Sequence, residues 1–117
     1  MRKYVVAGIF TVAFILSGFL IAPTHAQLGG YRSIEVDDAT AVAAANFAVS
    51  KEEETTEGIE LAEILKAERQ SVAGANYRLC LRVKLGEDTQ EVQAIVNLNL
   101  QGVYSLTSWT PKDCDGS

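Results

Sequence analysis

The chain has 117 residues, of which 48% are hydrophobic and 21% charged, with a formal charge of −5, two cysteines and one histidine. An acidic balance without a basic stripe argues against nucleic acid and anionic lipid as partners. The single histidine is His25; a chain shortened past it has no Ser-His or Cys-His pair and no histidine ligand for zinc, so the commonest hydrolase constellations are excluded and neither an enzyme nor a cofactor site is expected.

Met1-Arg2-Lys3 precede an almost uncharged stretch from Tyr4 to Ala22, and Thr24-His25-Ala26 stand before Gln27. A charged start, an apolar run and a small residue at the cut are the layout of a secretory signal peptide. Residues 1–26 are therefore expected to be a signal peptide and 27–117 one small mature domain, secreted or periplasmic. Its formal charge is −7, from eight Lys and Arg against fifteen Asp and Glu. The apolar run is near the lower limit for crossing a bilayer, so an uncleaved leader would anchor the chain in the membrane; after cleavage no membrane contact is expected.

Gln27 to Ile34, with Leu28-Gly29-Gly30, reads as a flexible trunk. Asp37 or Asp38 then caps a helix that ends before Gly58, with Val42, Ala45, Phe47, Ala48 and Val49 mainly along one side. Its small residues let whatever it packs on approach closely. Glu52, Glu53 and Glu54 offer paired carboxylates for acid and base work, but beside Lys51 and Thr55 they read better as a solvated helix end. From Ile59 to Arg69, Leu61, Ile64, Leu65 and Glu68 fall at helical spacing among strong helix formers. A strand is expected there instead, because Val72-Ala73-Gly74 leads straight into a clear strand and a glycine turn would supply this segment with a pairing partner. The residues alone leave both assignments open.

After Gly74 the period is two. Tyr77, Leu79, Leu81, Val83 and Leu85 alternate with Arg78, Cys80, Arg82 and Lys84, a half-buried strand. Gly86-Glu87-Asp88 turns, and Val92, Ala94, Val96, Leu98 and Leu100 alternate again as the second arm of a hairpin. Gln101-Gly102 punctuates before a third strand from Val103 to Thr110, stopped by Pro111. Cys80 and Cys114 are the whole cysteine inventory; in an exported chain they read as one disulfide, the alternative being one buried thiol and one thiol in the tail.

Four stretches, which follow one another along the chain as they do in that family, resemble the cystatins, small secreted inhibitors of papain-like cysteine peptidases. Gln70-Ser71-Val72-Ala73-Gly74 matches the QxVxG signature, followed by Asn76-Tyr77; Leu28-Gly29-Gly30 resembles the apolar-Gly-Gly trunk; Ala44-Ala45-Asn46-Phe47-Ala48-Val49 resembles the helix motif of the plant branch. Asn99-Leu100-Gln101-Gly102 falls where many members carry Pro-Trp, with Asn99 in place of proline and Leu100 in place of tryptophan, so the loop keeps an apolar tip but loses a large aromatic anchor.

The resemblance implies an α+β fold, one helix on a four- to five-stranded antiparallel sheet. It also implies a wedge of trunk and two hairpin loops entering the cleft of a papain-like cysteine peptidase, with no covalent step. The contacting residues would be Leu28, Gly29, Gly30, Gln70, Ser71, Val72, Ala73, Gly74, Asn99 and Leu100, with Gly74 allowing a tight turn and close backbone approach and Gln70 hydrogen-bonding outward. A hairpin-after-hairpin order would place Cys114 a strand two places from Cys80, about 10 Å away, a distance that Pro111-Lys112-Asp113 can span. A monomer is expected, with a dimer formed by hairpin exchange as the alternative state. The competing function is a cystatin-fold binding or structural module that does not inhibit, suggested by the missing Pro-Trp and the short trunk.

Overall fold

A computed structural model describes residues 30–114; the expected leader, Gln27, Leu28 and Gly29 lie outside the described residues. Five antiparallel strands follow one another across a single sheet: β1 (Arg32–Ile34), β2 (Ile59–Val72), β3 (Gly74–Leu85), β4 (Asp88–Leu98) and β5 (Tyr104–Pro111). The helix α1 (Ala39–Glu53) lies between β1 and β2 in sequence and packs on one face of the sheet. The α+β architecture inferred from the sequence is therefore observed, with five strands. Arg32–Ile34, read as part of a flexible trunk, instead pairs with Ala67–Arg69 as an edge strand.

Asp38 is the N-cap of α1. Its carboxylate accepts from the Thr40 amide at 2.8 Å and the Ala41 amide at 3.4 Å, satisfying donors that the first helical turn leaves without intrahelical partners. At the other end Lys51 stands in the last turn, where its charge complements the exposed carbonyls, and Gly58 takes a positive φ as the chain turns back into β2. The buried stripe of α1 is Ala41, Ala44, Ala45, Ala48 and Val49. Val42, expected on that stripe, is on the exposed side, and Phe47 lies half-buried at its margin, stacked on Tyr104 with ring centroids 5.4 Å apart. With four alanines in the stripe, α1 sits low on Tyr77, Leu79, Leu81 and Val83 of β3 and Val92, Ala94 and Val96 of β4, all essentially inaccessible to solvent. That burial is the main force holding helix to sheet.

The register explains why β2 looks helical. Ile59, Leu61, Ile64, Ala67 and Arg69 pair with Leu85, Val83, Leu81, Leu79 and Tyr77, the helix-facing residues of β3. Two β-bulges, one between Leu61 and Glu63 and one between Ile64 and Lys66, stretch the spacing from two to three at each. An inward pattern with two steps of three mimics the helical period, and sheet pairing overrides the propensity of Glu, Leu, Ala and Lys.

The face away from the helix carries the polar residues and the disulfide. Cys80 and Cys114 are bonded, with Cα atoms 6.0 Å apart, so the tail crosses back over this face as the expected reach allows. The Lys112 amide donates to the Glu91 carbonyl at 3.1 Å and the Cys114 amide to the Glu91 carboxylate at 3.0 Å, fixing the tail beside β4. The sulfurs and Glu91 lie close together, but the sulfurs are bonded to each other, which leaves one carboxylate as a ligand. No helix among the described residues is long and apolar enough to cross a membrane.

Candidate functional site

Two hairpins and the entry to β1 meet at one end of the sheet, because β2 ends there, β3 begins there, β4 ends there and Arg32 pairs with Arg69 of β2 close by. In the first hairpin the β2–β3 pairing runs to Val72 opposite Gly74, leaving Ala73 alone as the connection. Gly74 has a φ of +93°, and a Cβ built there would lie 2.1 Å from the Leu98 carbonyl oxygen. The close backbone approach expected of this glycine is thus made to the chain's own second hairpin. The QSVAG turn and the end of β4 are packed backbone against backbone.

In the second hairpin, Leu98 pairs with Tyr104 and five residues close the loop. Asn99 organises it: its carboxamide oxygen accepts from the Gln101 and Val103 amides, both at 2.9 Å, while its carbonyl accepts from the Gly102 amide and its own amide donates to the Val103 carbonyl, both at 3.0 Å. The side chain of Asn99 is therefore turned toward its own loop, an Asx-type turn that replaces the stiffness a proline would bring. Leu100 and Val103 are left outward, 74% and 57% exposed. Asn99→Ala is expected to loosen this loop, with faster amide exchange at Gln101 and Val103 and an unchanged core, as residue-resolved hydrogen exchange would record.

A ladder of carboxamides joins the strands beneath the tips. Asn76 donates to Gln70 Oε1 at 2.9 Å, and Asn97 donates to Asn76 Oδ1 at 2.8 Å, across register pairs of β2–β3 and β3–β4. Gln70, expected to hydrogen-bond outward, has its carbonyl oxygen engaged by this ladder. The tip itself is uncharged: Val72, Leu100 and Val103 are exposed, and no charged residue occurs between Gln70 and Tyr77 or between Val92 and Pro111.

The structure therefore brings Gln70, Ser71, Val72, Ala73, Gly74, Asn99 and Leu100 to one end, and Gly30 immediately precedes the entry to β1; Leu28 and Gly29 lie outside the described residues. Val103, Asn76 and Asn97 belong to this end and were missed. Counting outward from the Gly86-Glu87 turn sets Asn76 opposite Asn97, so their pairing was accessible from the sequence once that turn was placed.

Electrostatics gather on the polar face just behind the first hairpin. Arg78 Nε donates to Glu68 Oε1 at 2.8 Å, and the Lys66 ammonium is 4.0 Å from the other carboxylate oxygen. The Arg78 hydrogen bond, aided by the charges of Arg78 and Lys66, outweighs desolvation and holds the Glu68 carboxyl below its ordinary range. A depressed folded-state pKa contributes stability that is present above the unfolded value and is lost as pH falls through the folded one. The stability difference between the unaltered chain and Glu68→Gln is expected to be constant at neutral pH and to shrink below about pH 4.5, the ordinary value; urea titrations of both chains across that range measure it.

A model of the family described as aspartic acid proteinase inhibitor matches residues 34–112. The chain belongs to that inhibitor family. The match runs from β1 through α1 to the residue after β5, so it covers both hairpins of this proteinase-inhibitor family chain. The fold is cystatin-like: the salivary cystatin of the soft tick Ornithodoros moubata superposes with a TM-score of 0.63 at 24% identity, over 73% of this chain and 98% of that one. Al-CPI superposes with a TM-score of 0.58 at 15% identity, over 72% of this chain and all of the other. Comparison with curated proteins by sequence gives no match.

Proposed function

We propose that this chain is an exported, reversible inhibitor that plugs the cleft of a papain-like cysteine peptidase with its two hairpin tips, the leader being cut between Ala26 and Gln27. The observation that carries the reading is the seating of Gly74 against the Leu98 carbonyl, which fixes the QSVAG turn to the start of the second hairpin loop, with Val72, Leu100 and Val103 exposed on the two loops. A preformed, uncharged tip loses little conformational freedom on docking and leaves no charge to be desolvated. Leu28, Gly29 and Gly30 add a third contact in this reading, on the strength of the sequence resemblance. The Cys80–Cys114 bond and the leader-like N-terminus both suit an oxidising compartment outside the cytoplasm.

A second reading has its own support. The family description names aspartic proteinases, so the same tip would instead enter the cleft of an aspartic peptidase. Titration of the chain starting at Gln27 against papain near neutral pH and against a pepsin-type enzyme at acid pH separates the two. Stoichiometric inhibition of papain is the expected result. Inhibition of the aspartic enzyme alone moves the assignment to the second reading, and inhibition of neither at micromolar concentration leaves a cystatin-fold binding module.

A further inference from the structure

We propose that the end of the domain opposite the hairpin tip holds a binding site for a small organic cation with an apolar body, of the aryl-alkyl ammonium class. The site is a cavity of about 600 Å³ between the C-terminal end of α1 and the sheet, within the range of about 300–1,000 Å³ that small-molecule sites occupy. It exists because the sheet outruns the helix. α1 stops at Glu53, whereas β3 continues to Leu85 and β5 to Pro111. Ile59 and Val83 are its buried lining residues, and Leu85, 46% exposed, stands at its mouth. Trp109 and Pro111 add a further apolar wall; they pair with Ala94 and Val92, which lie under the helix.

Two carboxylates line the same cavity, and no cationic side chain does. Glu52 comes from the last turn of α1, where the Thr56 hydroxyl donates to its Oε2 at 3.1 Å, one of about four acceptor positions that a carboxylate offers. Asp88 opens β4 and is the register partner of Leu85. Among the described residues neither acid forms a salt bridge, and Lys51, the neighbour of Glu52, bridges Glu54 instead. Trp109 supplies the ring whose face best receives a cation. An anion would be repelled by both carboxylates and a neutral body would gain nothing from them, so the lining favours an ammonium. β3 begins at the tip and ends at this cavity, roughly 35 Å away along the strand. The site is therefore separate from the peptidase-contacting end, and the inference does not depend on which peptidase that end enters.

Trp109 is the only tryptophan in the chain, so its fluorescence reports the cavity directly. Titration of the chain starting at Gln27 with phenethylamine at neutral pH should give a saturable change with a Kd of about 1 mM or tighter. Phenethyl alcohol, the same body without the charge, should bind more weakly by about 5-fold or more. Residue-resolved NMR should place the shifts caused by the amine at Thr56, Leu85, Asp88 and the Trp109 indole, with Val72 and Leu100 at the tip unmoved. Glu52→Gln combined with Asp88→Asn should raise the Kd of the amine by about 10-fold while leaving that of the alcohol as it was. No saturable change, equal binding of the alcohol, shifts centred away from the cavity, or full affinity in the doubly substituted chain overturns the proposal. Should that chain fail to fold, the comparison of amine with alcohol on the unaltered chain still decides it. Failure to inhibit any peptidase would remove the proposed function and leave this site standing.

Discussion

Gly74→Ala should cripple the inhibitor although it adds a single methyl group. At a φ of +93° a residue with a Cβ is strained by about 1–3 kcal/mol. The new carbon would also sit 2.1 Å from the Leu98 carbonyl oxygen, a backbone atom that no rotamer change moves away. The hairpins must part, and the fixed joint between the two loops is lost. Unfolding free energy should fall by about 2–4 kcal/mol, and inhibition should weaken by roughly 100-fold; urea denaturation and tight-binding titration of the same preparations measure the two. Gln70→Ala removes the acceptor of the Asn76 hydrogen bond from the carboxamide ladder, and a neutral hydrogen bond is worth about 0.5–1.5 kcal/mol, so it should cost about 10-fold or less. Equal losses from the two changes, or full inhibition by Gly74→Ala, would contradict this account of the tip.

Opening the disulfide should have a large effect of the opposite character. Cys80 and Cys114 close a loop of 34 residues, for which loop-closure entropy gives about 4 kcal/mol of stabilisation. Cys80 is paired with Lys66 and Gln93, partway along β3 and away from the tip. Reduction, or the paired change of both cysteines to serine, is therefore expected to shift the urea midpoint strongly. The affinity of the molecules that remain folded should change by no more than about twofold. Intact mass after alkylation, with and without reductant, confirms the state of the thiols in each sample. Weakening of inhibition beyond the loss of folded protein would show that the tail reaches the tip in solution.

Much of this architecture was legible in the residues, and the exceptions have physical causes. β3 and β4 are bulge-free partners, so Tyr77 to Leu85 and Val92 to Leu98 keep a clean period of two and could be read directly. β2 has two bulges, and no local rule separates steps of two, three, three and two from a helical stripe. Val42 misled for a different reason. Four of the five residues in the buried stripe of α1 are alanines, so a valine just outside it is no less hydrophobic than most of those inside. At the tip, QSVAG marked the first hairpin, but only the fold could show that Gly74 faces Leu98 and not the solvent. Asn99 stood where a contact was expected, and the structure gives its carboxamide to its own loop. Val103 was assigned to a strand as a β-branched residue; it belongs to the exposed loop because that turn closes one residue later.

The single-residue connection at Ala73 would also govern stoichiometry if two copies exchanged hairpins, the alternative to a monomer. Exchange of β1, α1 and β2 between two copies requires the chain to run straight from Val72 into Gly74, which withdraws the turn from Leu98 in both partners. A dimer assembled in that way has two complete cores and no intact tip. Self-association and peptidase capture then compete for the same residues, so inhibitory equivalents per milligram should decline as the protein is concentrated and return on dilution at the slow pace of strand exchange.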